Sequence, residues 1–265
     1  MSGNDSLVDG RLVVLQKVPN YDTLTITPSG SLTVNAFNGA IGGILPVKAI
    51  KVVNAGTIQT NALGFTSFSF WETYVGYSGL SYAGYSQIQQ SLNNYGAGGG
   101  GTAYGGGGAG GSFGTLGTAA TATPGQIYGD ASLSKLFFGS AGGTGGGTQT
   151  IGNVRSGGEG GVGGTGGGII LLLANSLINT GTISSTGSNG ATGWDQNPSW
   201  NGTKGSGGGG GGGSGGLIKI YSKVVTTGQL IITGGTGGSY YWGSYGASAG
   251  GIGGLGRSVI SKTIF

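Results

Sequence analysis

Residues 166–190 read GGGIILLLANSLINTGTISSTGSNG: five consecutive large aliphatics at 169–173 directly behind a glycine run, with glycine returning at 181. A run that is apolar at every position leaves no face for water, so it reads as a central strand covered on both sides. The segment 177–185, LINTGTISS, has counterparts around three other glycines: VVNAGTIQT around Gly56, VVTTGQLII around Gly228 and ITPSGSLTV around Gly30. An aliphatic follows two residues after each central glycine (Ile58, Ile183, Leu230, Leu32), so each copy reads as strand, tight glycine turn, strand. Gly181 and Gly228 stand 47 residues apart and share a preceding glycine run and strand, which makes the segment a repeating unit.

Glycine supplies 69 of the 265 residues. At ~0.5–1 kcal/mol each relative to alanine, ordering them costs roughly 35–70 kcal/mol of backbone entropy, so their placement must serve a structure. Residues 157–168 read GGE-GGV-GGT-GGG and 250–256 read GGI-GGL-G, with shorter copies at 142–147 and 234–239. A period of three matches the left-handed helix with three residues per turn, which glycine adopts without a proline ring. A strict G-X-Y repeat with abundant proline is absent, since the chain has only 5 prolines, which excludes collagen. No run carries the aspartate of the calcium-binding β-roll nonapeptide, and G-x-G-x-x-G matches arise from composition alone.

The expected fold is therefore all-β: β-solenoid or sandwich-like strands combined with packed polyglycine II helices and little α-helix. The short stretches 130–139, with Asp130 as N-cap and Gly139 as C-cap, and SQIQQSLNN at 86–94 are the two expected helices. Two regions are expected: 1–64, an N-terminal β attachment or assembly region, and 65–265, a glycine-rich domain with aromatic loops.

Charge is sparse. Eleven basic residues against seven acidic give a net +4, but they stand singly, as at Lys48, Arg155 and Lys219, with no cluster to track a phosphate backbone. The reading has no nucleic-acid partner. Cysteine and histidine are both absent, which removes disulfides, thiolate chemistry, the imidazole base and most zinc or iron sites. No cofactor and no metal are expected. The first twenty residues lack the pattern of a cleavable signal peptide, and no apolar run is long enough to insert in a membrane.

The seven carboxylates share no motif; Glu72 and Asp195 are the pair that a polysaccharide-cleaving site would have to bring together. Three segments turn aromatic and polar between glycine runs: 65–87, 193–205 and 237–248. Tryptophan, tyrosine, serine, glycine and asparagine are the composition of binding loops, because rigid rings supply area at low entropic cost. Trp71, Tyr74, Tyr77, Trp194, Asp195, Trp200, Tyr240, Tyr241, Trp242 and Tyr245 are the candidate receptor-binding residues. The phenylalanines at 65, 68 and 70 and Trp71 read equally well as core.

In the style of its glycine motifs, the stretch 96–256 resembles the glycine-rich receptor-binding adhesins at the tips of long tail fibres of T-even-like bacteriophages. The N-terminal 60 residues are more similar to glycine-rich surface proteins of Gram-positive bacteria and their phages. The resemblance implies a non-enzymatic, virion-associated protein whose aromatic segments contact a host surface protein or polysaccharide, located in a tail fibre or at an extracellular surface and working in an oligomeric assembly with other virion or filament subunits. A self-assembling subunit of an extracellular filament, spore coat or cell-surface layer is the alternative expectation, and a tail-associated polysaccharide depolymerase the third.

Overall fold

The computed structural model describes residues 18–67, 75–82, 96–103, 105–147, 158–194, 207–240 and 247–262. Among the described residues, nine strands alternate between long and short: β1 Asn20–Ile26, β2 Ser31–Leu32, β3 Ile44–Asn54, β4 Thr57–Gln59, β5 Ile169–Asn179, β6 Thr182–Ser184, β7 Leu217–Thr226, β8 Gln229–Ile231 and β9 Arg257–Ser261. The long strands form one five-stranded sheet in the order β1-β3-β5-β7-β9, the short ones a four-stranded sheet in the order β2-β4-β6-β8. Every pairing between these strands is parallel.

This corrects the expected solenoid or sandwich. Two wholly parallel sheets, as in α/β-type sheets, are present, and no residue among those described is helical. The reason lies at the glycine corners. The two strands of one repeat do not pair with each other as a hairpin would; the corner passes the chain from one sheet to the other, and each strand pairs with its equivalent in the next repeat. Ile44 faces Ile169, and Ile169 faces Leu217. Equivalent positions carry the same apolar pattern, so parallel register places like beside like. The corners themselves stack: the Thr57 N–H donates to Gly30 O at 3.0 Å and the Thr182 N–H to Gly56 O at 2.9 Å. A Cβ on Gly56 would run into the carbonyls of Thr27 and Gly30, and one on Gly181 into that of Gly56.

Between the sheets lies the main core. Leu45, Val47, Val52, Ile58, Ile170, Leu172, Leu177, Ile183, Ile218 and Ile220 are all buried in it. β5 is the central strand. Ile170 and Leu172 point into this core, whereas Ile169 faces the other way and joins Leu217 in a second cluster with Phe113, Tyr128 and Leu133. At the corner end, the Asn54 and Asn179 side chains are register partners, with Nδ2 of Asn54 donating to Oδ1 of Asn179 at 2.7 Å.

Parallel strands need long crossovers. Here glycine segments supply them, running out from the sheets and back, and neighbouring segments bond at every third residue. Gly161, Gly164 and Gly167 donate to Gly208, Gly211 and Ser214 at 2.8, 2.7 and 2.9 Å. Gly209, Gly212 and Gly215 donate to Ser248, Gly251 and Gly254 at 3.0, 2.8 and 3.0 Å. The unbroken glycine run 207–213 occupies the middle, bonded to the segments around 143, 164, 188, 212's partner Gly251, 235 and 111, and all of its residues are buried. Where a side chain occupies every third position, that position lies toward the surface: Val162 and Thr165 are half-buried, and Ile252 and Leu255 are exposed. Uninterrupted glycine therefore marks the interior of the block, and each GGX run marks its border.

Hydroxyls close part of that border. Thr115 and Thr118, three residues apart, accept the N–H groups of Leu255 and Ile252 at 2.8 and 2.6 Å, and Thr121 donates to Gly107 O at 2.9 Å.

The helix expected at 130–139 is absent. Asp130 gathers the hydroxyls of Ser132 and Ser134 and the Ser134 N–H, which holds its carboxyl below the usual carboxylate range. Leu133 has φ +54°, in the left-handed region where a helix cannot continue, and its carbonyl is taken by the buried Lys219 Nζ at 2.6 Å. The other expected helix, 86–94, lies outside the described residues.

Tyr128 yields a prediction. Its hydroxyl donates to Phe138 O at 2.5 Å and meets Ser140 Oγ at 2.8 Å. Burial pushes the phenol well above its ordinary range, only partly offset by the Ser140 hydrogen bond. A raised acid pKa means that the folded state keeps a proton which the unfolded chain gives up above about pH 10. The stability linked to this proton is complete below that pH and is lost as pH rises further. Tyr128→Phe is expected to have a shallower alkaline decline in melting temperature than the parent; an identical decline would show that Tyr128 is not the group responsible.

Candidate functional site: the outer end of the glycine block

Segments 185–194 and 232–240 run side by side in the same direction. Gly187, Gly190 and Gly193 donate to Thr233, Thr236 and Ser239 at 2.9, 2.9 and 3.0 Å. The next residue on each segment is aromatic, so Trp194 and Tyr240 occupy matched positions on adjacent segments. They are 67% and 40% exposed, so both rings stand open to solvent at this end. Trp194 is fixed by its backbone, not by its ring: it and Glu159 exchange two hydrogen bonds of 2.7 Å in an isolated antiparallel bridge. Glu159 is half-buried beside it.

The same end gathers other chain ends. The Gly208 N–H donates to Gly146 O at 3.0 Å, Gly209 to Ser248 O at 3.0 Å, Ser248 to Gly105 O at 3.0 Å and Gly105 to Gly147 O at 3.4 Å. The described residues flanking 148–157, 195–206 and 241–246 are thus bonded into one layer, remote from both sheets. Rigid anchoring by many neighbouring segments is the usual way a scaffold positions recognition groups.

Of the candidate binding residues, Trp194 and Tyr240 stand at this end. Tyr77 lies on the segment 75–80, half-buried, with its N–H donating to Thr144 Oγ1 at 2.6 Å and its carbonyl accepting from Thr144 N at 2.9 Å. Trp71, Tyr74, Asp195, Trp200, Tyr241, Trp242 and Tyr245 lie outside the described residues, as does Glu72 of the acid pair considered for hydrolysis. Glu159 was not singled out from the sequence. Its partner Trp194 is 35 positions away, and only the antiparallel run of segments 158–168 and 185–194 brings the two together. No group of three metal-ligating residues exists among the described residues, and no helix among them is long and apolar enough to cross a membrane.

Comparison with protein-family models, with curated proteins and with solved structures finds no match to this chain.

Proposed function

We propose that this chain is a non-enzymatic recognition protein, the receptor-binding tip of a virion-associated fibre, which presents aromatic segments to a protein or polysaccharide on a host surface. The observation that supports this reading is the gathering, at one end of the glycine block, of exposed Trp194 and Tyr240 and of the anchors of the segments 195–206 and 241–246. A block held by backbone bonds at every third residue changes little on binding, so the rings pay a small ordering cost when they meet a partner.

The threonine-capped side of the block bears on the alternative, a self-assembling filament. N–H groups of Ile252 and Leu255 that would otherwise extend the glycine array to another copy are already taken by Thr118 and Thr115.

The test is to replace Trp194, Trp200, Tyr240, Tyr241 and Trp242 by alanine and to measure binding to intact host cells. Truncation of a central ring at a recognition surface costs ~2 kcal/mol or more, about a 30-fold loss of affinity. The expected result is that loss at an unchanged melting temperature. Undiminished binding by the combined variant would place recognition elsewhere on the molecule.

A further inference from the structure

Asn38 and Gly39 sit at the tip of the loop between β2 and β3, and both are exposed. The Asn38 side chain is folded forward over its own backbone: Oδ1 accepts the N–H of Ala40 at 3.0 Å and that of Ile41 at 2.9 Å. The turn is closed from the other side by the Asn38 N–H donating to Ile41 O at 3.0 Å. Gly39 is the next residue along the chain, so its backbone nitrogen is the atom that completes a five-membered ring with Cγ of Asn38. The Gly39 N–H makes none of the backbone bonds that pin so many other glycines in this chain, φ of Gly39 is +98°, and nothing stands within 4 Å of where its Cβ would be.

Asn189 and Gly190 have the same dipeptide sequence in the opposite setting. The Gly190 N–H donates to Thr236 O at 2.9 Å, inside the array, and Asn189 Oδ1 accepts the Thr236 N–H at 2.9 Å. The remaining pair, Asn201 and Gly202, lies outside the described residues.

We infer that Asn38 is a site of spontaneous covalent modification, converting through a cyclic imide to aspartate and isoaspartate, while Asn189 is protected by the glycine block. The Gly39 nitrogen gives its proton to hydroxide or water and attacks Cγ of Asn38. The negative charge that develops on Oδ1 is met by the two N–H donors already aimed at it, as an oxyanion hole would do. The Cγ–Nδ2 bond then breaks and Nδ2 leaves with a proton as ammonia, which closes the five-membered succinimide. Water adds to either of its carbonyls and opens the ring to aspartate or isoaspartate. At Asn189 the attacking nitrogen would first have to leave its bond to Thr236.

The product matters to the fold nearby. Aspartate at this position adds one negative charge to a chain of net +4 and keeps the two N–H donors as partners. Isoaspartate lengthens the backbone by one carbon in the turn next to Phe37, whose N–H donates to Leu63 O at 3.0 Å and whose ring stacks on Phe138 at 4.6 Å.

The experiment incubates the whole folded chain at mildly alkaline pH and follows the peptides carrying Asn38 and Asn189 by mass spectrometry, with release of ammonia as a second readout. One lost hydrogen bond corresponds to about a tenfold change in rate, so Asn38 is expected to convert at least about ten times faster than Asn189. In concentrated urea, where both dipeptides are equally free, the ratio is expected to fall towards one. Equal rates in the folded protein, or an Asn38 that stays intact for as long as the urea-unfolded chain takes to convert, would overturn the proposal.

Discussion

Gly164→Val is expected to destabilise the protein by about 3 kcal/mol or more, at the upper end of what overpacking a close-packed interior costs. Gly164 donates to Gly211 O at 2.7 Å and accepts from Gly142 N at 2.9 Å, so its backbone is tied to a segment on each side. A Cβ there would fall on the carbonyl oxygen of Ser188 and within 2.6 Å of Gly213 N. These are backbone atoms, themselves hydrogen-bonded, and no flexible side chain is available to swing aside. Relief requires separating whole segments and breaking bonds at several three-residue steps. Val162→Ala, two residues away on the same segment, removes a half-buried side chain from a border position and is expected to cost no more than about 1 kcal/mol. Urea unfolding of both variants reads the contrast. A Gly164→Val effect no larger than that of Val162→Ala would mean that the run is a surface loop and that the described bonds contribute nothing to stability.

How much of this could be seen in the sequence depends on whether the deciding contact was local. The strand at 169–173 was legible because its apolar residues leave no polar face, and β5 is indeed the central strand with cores on both sides. Its partners were not legible: β3 lies 125 positions upstream, and nothing local distinguishes a hairpin turn at Gly56 from a corner between two sheets. The Ala55 N–H decides the matter by donating to Ile26 O, a residue of the preceding repeat. The run 207–213 has the composition of a flexible linker, yet it is the best-enclosed segment of the block, because only a chain bare on every side can be surrounded on every side. That unbroken glycine lies inside the block and GGX runs at its border follows from which segments meet across it, not from the period of three alone. At the outer end, the aromatic and polar composition around Trp194 and Tyr240 is a local signal, whereas Glu159 and the capping threonines act through pairings that no local pattern announces.

Phe113 is one aromatic in a glycine-rich stretch that no local pattern marks, and its loss is expected to have the other large effect. It is completely buried, and its ring stacks on Tyr128 with centroids 4.7 Å apart and planes 29° from parallel. It joins three parts of the molecule. Its own segment belongs to the glycine block, where Ser112 and Gly114 bond to Gly96 and Leu255. Ile169 and Leu217 bring the outer face of the five-stranded sheet, and Leu133 with Tyr128 brings the loop whose carbonyl at 133 is held by Lys219. Arg257, at the start of β9, lies over the Phe113 ring at 5.8 Å and donates through Nε and Nη2 to Tyr128 O at 3.2 and 3.1 Å. Truncation to alanine removes a buried aromatic at about 3–5 kcal/mol. The void cannot be filled by collapse, since the glycine segment on one side and the sheet on the other are both fixed by backbone bonds. Phe113→Leu retains much of the volume and should recover most of the loss, with the remainder reporting the stacking on Tyr128, about 0.5–1.5 kcal/mol. Chemical denaturation followed by tyrosine and tryptophan fluorescence measures both. If Phe113→Ala costs less than about 1 kcal/mol, the sheet and the glycine block are not joined through this ring, and the coupling between them rests on backbone bonds such as those from Gly168 to Thr60, Gly216 to Ser185 and Gly256 to Ile232.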